Sequence, residues 1–215
     1  MPVPPSKHPA RRARRKDVRP SEIREAALAL FSERGFAATR LDDVAERAGV
    51  GKGTIYLYFP NKEALFRAVV RHDLLPNLEA LESVADSEST SATTTLRTIL
   101  FALLAACDRP ISAIPKLVIA EAGNFPALAR FYVEEVTARG RRLIERVLRR
   151  GIEQGEFRSV DVTLTVPLVV APALMLMLWN ASLRPYAQAP VDPAKVLEHH
   201  LDVLFRGLAP IQTYP

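Results

Sequence analysis

The chain has 215 residues, 48% apolar and 25% charged, which is ordinary for a soluble globular protein with one sizeable core or a small domain joined to a larger one. Its single cysteine, Cys107, excludes an intrachain disulfide, and the Pro- and Arg-rich start without an apolar run excludes an ordinary secretory signal, so a cytoplasmic location is expected. Residues 1–60 hold 12 basic and 7 acidic side chains, the whole net charge of +5, and a basic front on a neutral body points to a polyanionic partner.

Residues 1–19 read as a basic disordered arm carrying "RRARRK". A first helix is expected after Pro20, with Ser21 near its cap, an apolar stripe of Ile23, Ala27, Leu30 and Phe31, and a stop at Gly35. Thr39 is expected to cap a second helix whose buried side is Leu41, Val44, Ala45 and Ala48. Gly49 ends it, and a third short helix runs from about Lys52 to Phe59 until Pro60 breaks it. Asn61 caps a long fourth helix with a kink at Pro76.

Beyond the Ser/Thr-rich connection at 86–95, helical periods continue through Leu96–Ala106, Ile111–Gly123 and a long helix from Pro126 to about Gln154. On that long helix Glu135/Arg139, Glu145/Arg149 and Arg149/Glu153 are spaced as surface ion pairs. A final pair covers Asp161–Leu183 and Pro193–Leu208. No stretch alternates with a period of two, so the fold class is all-α. Residues 162–183 are uncharged and long enough to span a bilayer, but Pro167, Pro172, Thr163, Thr165, Asn180 and Ser182 favour a helix buried on one side by its own core and on the other by a partner subunit.

Gly51-Lys52-Gly53-Thr54 raises a choice between a nucleotide's phosphate and that of DNA. A Walker loop needs a glycine five positions before Gly51 and a hydroxyl directly after the lysine, following a strand; here stand Glu46, Gly53 and a helical segment. A helix-turn-helix fits better: Ala45 suits the helix crossing, Gly49 the turn, and Val50 and Ile55 the apolar anchors. In that frame Lys52, Thr54, Tyr56 and Tyr58 reach phosphates or bases, the two glycines allow close approach, and Lys62 grips a phosphate at the next helix start.

The run from Arg24 to Val70, "REAALALFSERGFAATRLDDVAERAGVGKGTIYLYFPNKEALFRAVV", closely resembles the N-terminal domain of the TetR/AcrR family of bacterial transcriptional regulators. Residues 116–136, "KLVIAEAGNFPALARFYVEEV", are similar to the C-terminal domains of one branch. The resemblance implies an N-terminal three-helix DNA-binding domain at 20–66, and a helical ligand-binding and dimerisation domain at 67–215. It further implies a homodimer paired through 162–183 and 193–208, a palindromic double-stranded operator, and a small apolar or amphipathic effector that releases it. Lys52, Gly53, Thr54, Tyr56, Tyr58 and Lys62 match its DNA-contacting region, with Thr39 and Arg40 near the backbone; most members repress.

Candidate pocket residues are Phe101, Leu104, Cys107, Phe131, Met175 and Trp179, chosen for apolar bulk on helices expected to converge. Glu121 and Asn124 either orient a ligand or cap the turn before Pro126. His199-His200 lack spaced partners, so no metal, cofactor, catalytic residue or enzyme activity is assigned. The competing classes are a nucleotide-dependent enzyme, which needs Lys52 for ATP binding, and a membrane-anchored DNA-binding protein.

Overall fold

The computed structural model describes residues 10–87, 89–189 and 192–210, and among them all regular structure is helical. The chain divides into two compact units, one up to His72 and one from Asp73, against an expected boundary at 66/67.

The first unit holds α1 (Ala10–Ala38), α2 (Leu41–Arg47), α3 (Lys52–Tyr58) and α4 (Lys62–Val69). Helix α1 begins eleven residues before the expected start, so residues 10–19 are helical and Ser21 lies inside the helix. Alanine and arginine are good helix formers, and Pro20 removes one backbone donor without ending the run. The expected arm's first nine residues, and the side chains of its basic run, lie outside the described part. The stop at Gly35 is met by a residue at φ 81°, which breaks the helical geometry before a last turn at Phe36–Ala38.

Ile23, Ala27, Leu30 and Phe31 are buried as the stripe requires, together with Val44, Ala45, Ile55, Leu65 and Phe66. Phe31, Phe36 and Phe66 form an aromatic knot with centroids 5.4–6.1 Å apart. Asn61 caps α4 by accepting from the Ala64 N–H at 2.7 Å.

The second unit contains α5 (Leu75–Ala85), α6 (Ala92–Ala105), α7 (Ala113–Glu121), α8 (Pro126–Tyr132), α9 (Ala138–Glu153), α10 (Val162–Ser182) and α11 (Pro193–Leu208). A π-helical turn at Val70–Leu74 precedes α5, where Pro76 lacks the N–H that would continue the ladder to His72. The expected long helix from Pro126 is likewise divided by a π-helical turn at Val133–Thr137. The core of this unit joins Leu96, Ile99 and Leu100 of α6 to Leu143, Ile144, Val147 and Leu148 of α9, with Val166, Val169 and Ala173 of α10 and Leu197 and Leu201 of α11.

The ion pairs on α9 differ from the expected set. Arg139 leaves its helix to bond Glu82 of α5 at 2.6 Å and lie 3.6 Å from Glu79, and Glu145 pairs with Arg141 at 2.7 Å. Arg139 is only partly exposed, and a neighbouring helix offers two carboxylates where its own offers one. Two further contacts tie the loop before α6. The Glu156 carboxylate accepts from the Ala92 and Thr93 N–H groups at the α6 N-terminus, and Arg150 donates to the carbonyls of Ala85 and Ser87. Asp161 and Asp192 cap α10 and α11 through their side chains.

Candidate nucleic-acid interface

Helices α2 and α3 are joined by a turn at Ala48–Gly51, in which Gly49 sits at φ 64° and the Val50 N–H closes on the Ala45 carbonyl at 2.9 Å. Ile55 is fully buried and fixes the rotation of α3 about its axis. At about 100° per residue, Gly53 and Leu57 then form the outermost ridge, each two positions from Ile55. Lys52 and Tyr56 occupy one flank of that ridge, and Thr54 and Tyr58 the other.

Tyr56 is 51% exposed, which sets it apart from the buried Phe59 and Phe66. Lys52 is exposed and pairs with Asp42 of α2 at 2.7 Å. That hydrogen bond is the main reason the Asp42 carboxyl lies below its ordinary value and the Lys52 ammonium above its own. Arg40, at the N-cap of α2, is exposed nearby. No Cβ placed at Gly53 would meet another atom within 4 Å, so the fold itself does not require a glycine there.

Two of the expected DNA contacts have internal partners in this structure. Thr39 is 1% exposed, and its hydroxyl donates to the Gly35 carbonyl at 2.7 Å; it therefore does not cap α2, whose N-cap is Arg40 without a side-chain bond. The broken end of α1 leaves carbonyls without helical partners, and a threonine hydroxyl inside the core is the available donor. The Lys62 ammonium donates to the carbonyls of Phe36 and Ala37 and sits 4.5 Å over the Phe36 ring, clamping the same helix end to α4. Asp42 and Leu57 are the residues that sequence reasoning passed over. An acidic first-turn residue looks like ordinary helix-end chemistry, and a leucine in a short helix looks like core.

The phosphate-loop alternative loses its remaining support here. Gly51 and Lys52 follow a helix and a turn, and the open groove beside them, about 530 Å³, is also lined by Asp42, Asp43 and Glu46, which repel a nucleotide's phosphates.

In the second unit the six candidate pocket residues separate. Phe101 and Leu104 pack against the core, Phe131 is buried in α8, and Cys107 is half-buried, its thiol pushed up by desolvation. Met175 and Trp179 lie on the outer side of α10, 59% and 42% exposed, and line a cleft of about 280 Å³ with Leu176, Asn180, Arg184, Pro193 and Val196. The Asn124 side-chain amide donates to the Glu121 carboxylate at 3.2 Å, and the turn before Pro126 is closed by backbone bonds to the Glu121 carbonyl. His199 is exposed, whereas burial holds the His200 imidazole below its ordinary value. Among the described residues no cluster of metal-ligating groups occurs.

A buried-anchor helix, a glycine turn and a second helix with an exposed polar face define a helix-turn-helix DNA-binding protein. Residues 23–69 match the family described as bacterial regulatory proteins, tetR family, and residues 84–192 match the tetracyclin repressor-like C-terminal domain. The HTH-type transcriptional repressor KstR2 of Rhodococcus jostii is 31% identical over 200 residues, covering 90% of this chain and 93% of that protein. The uncharacterized HTH-type transcriptional regulator YfiR of Bacillus subtilis is 31% identical over 70% of this chain and 74% of its own length. The solved ketosteroid transcriptional regulator KstR2 of Mycobacterium tuberculosis superposes with a TM-score of 0.68 at 27% identity, over 90% of this chain and 96% of that one. The chain belongs to the TetR family of transcriptional regulators.

Proposed function

We propose that this protein is a homodimeric repressor that binds a palindromic operator through α3 and leaves it when a small apolar or amphipathic effector binds the second unit. The observation that carries the DNA reading is the outward face of α3, where Lys52, Gly53 and Tyr56 stand exposed beside a buried Ile55. Gly53 admits the helix to the major groove, and Lys52 and Tyr56 on one flank, with Thr54 and Tyr58 on the other, hold the phosphate walls. Thr39 and Lys62 act from inside, by fixing the end of α1 against α4.

The dimer reading rests on α10. Leu164, Leu168, Met175, Trp179 and Leu183 are all exposed and recur at helical spacing along one side, and only a third of the helix's most apolar stretch is buried. A second copy covering this stripe and α11 removes it from water and presents two recognition helices to one duplex. Length and composition would also allow this helix to cross a membrane, but its other face is part of the unit's core. For the effector, the cleft beside Met175 and Trp179, which a second copy on the same stripe would close over, offers an apolar wall with Asn180 and Arg184 as polar groups. A hundredfold weakening of DNA binding requires the effector to favour the released state by roughly 2.7 kcal/mol.

The test is a salt titration of binding to a duplex selected from a random pool, read by fluorescence anisotropy. Lys52→Ala weakens binding and reduces the salt slope by about one for each half-site, the signature of a lost phosphate contact. Tyr56→Ala also weakens it. Unchanged binding by both variants would sink the reading.

A further inference from the structure

Leu57 is 84% exposed in the last turn of the recognition helix, more than any other exposed large apolar side chain described. Its neighbours on the same helix explain why it stands out. Ile55, two positions earlier, is fully buried, and the ridge directly opposite Ile55 consists of Gly53 and Leu57, one turn apart. Lys52 is held to one side of this ridge by Asp42, and Tyr56 lies on the same side one turn on. Thus the polar groups of α3 lie on its flanks and the apolar side chain lies on its crest.

A helix that enters the major groove crest first brings Gly53 and Leu57 to the base edges and its flanks to the phosphate walls. Gly53 has no side chain to hold the backbone off, and open space surrounds its Cα, so the crest can descend until Leu57 reaches the groove floor. The base edges there offer hydrogen-bonding groups to polar side chains and one apolar group, the C5-methyl of thymine. A leucine brought against any other edge buries polar groups without partners.

Resting on the DNA-binding reading above, we infer that Leu57 is a specificity-determining residue that reads a thymine C5-methyl in each half-site of the operator. Lys52 and Tyr56 anchor the helix, and Leu57 selects the base. The preference follows from burial of one methyl group against the leucine side chain, at about fourfold in affinity for each half-site.

Deoxyuridine, which differs from thymidine only by that methyl, supplies the test. Each thymidine of the selected duplex is replaced in turn, and binding by the full-length protein is followed by fluorescence anisotropy. In the wild type one position per half-site weakens binding about fourfold on replacement. Leu57→Ala binds the thymidine duplex more weakly and is indifferent to that replacement, while its thermal melt matches the wild type because the position touches no core. A deoxyuridine penalty that survives in Leu57→Ala overturns the assignment. So does a wild type indifferent to every replacement while Lys52→Ala and Tyr56→Ala still weaken binding, an outcome that leaves the DNA reading standing. A wild type that retains no selected duplex removes both.

Discussion

Gly53 occupies a helical position where nothing inside the fold asks for a glycine, since a Cβ there meets open space. Gly53→Ala is therefore expected to stabilise the first unit by up to ~1 kcal/mol, because alanine is the better helix former. The same methyl stands on the crest of α3 and should weaken operator binding. Thermal melts and anisotropy measured on one preparation check the opposite signs. Lys52, Gly53, Thr54, Tyr56 and Tyr58 were legible in the sequence because the spacing of a short helix around Ile55 fixes its outward residues. Thr39 and Lys62 were not, since their partners are carbonyls at the broken end of α1, nine or fewer residues away for one and about 25 for the other. Backbone carbonyls carry no sequence signature. Leu57 was missed for a related reason: apolarity alone does not reveal which side of a seven-residue helix a leucine takes.

Helix α6 starts under a cap supplied from far along the chain, and this has a pH consequence. Desolvation pushes the Glu156 carboxyl up, but its bonds from Ala92 and Thr93 and the charge of Arg150 outweigh that, so it lies below the ordinary glutamate value. The sign follows: the stabilisation is complete above the ordinary range near pH 4.3 and is lost as pH falls through it towards the depressed folded value. Glu156→Gln should lower the melting temperature at pH 7, and the gap from the wild type should close at acid pH. Gly151, on α9, is a second point of tight fit. A Cβ there would lie 2.2 Å from a Phe157 ring carbon and 2.9 Å from the Ala92 Cβ. Gly151→Ala should destabilise the second unit by about 1–3 kcal/mol despite alanine's helix propensity, as denaturant unfolding would register. Element types and the cap at Asn61 were readable from local pattern, whereas the π-helical turns and the Glu156 cap depend on packing between distant segments.

For the whole molecule, the uncharged run at 162–183 has two faces. One joins the core through Val166, Val169 and Ala173, and the other exposes Leu168, Met175 and Trp179. The sequence announced a helix too apolar to stand in water alone, but the hydropathy of a run does not say which side its own chain leaves uncovered. The same limit separated the pocket candidates, for Met175 and Trp179 are exposed on a cleft whereas Phe131 is buried in α8. Leu168→Glu places a charge on the open face without touching the core. It should convert the proposed dimer to monomer in analytical ultracentrifugation and weaken operator binding, while the melt of the second unit is little changed.

The most direct measurement of the central claim is the selection of bound duplexes from a random pool by the wild-type protein. The account predicts an enriched sequence with two-fold symmetry, its half-site centres about one helical turn, 10–10.5 base pairs, or a multiple of that apart. A pool that stays unenriched, or an enriched site without a repeated half, would contradict it.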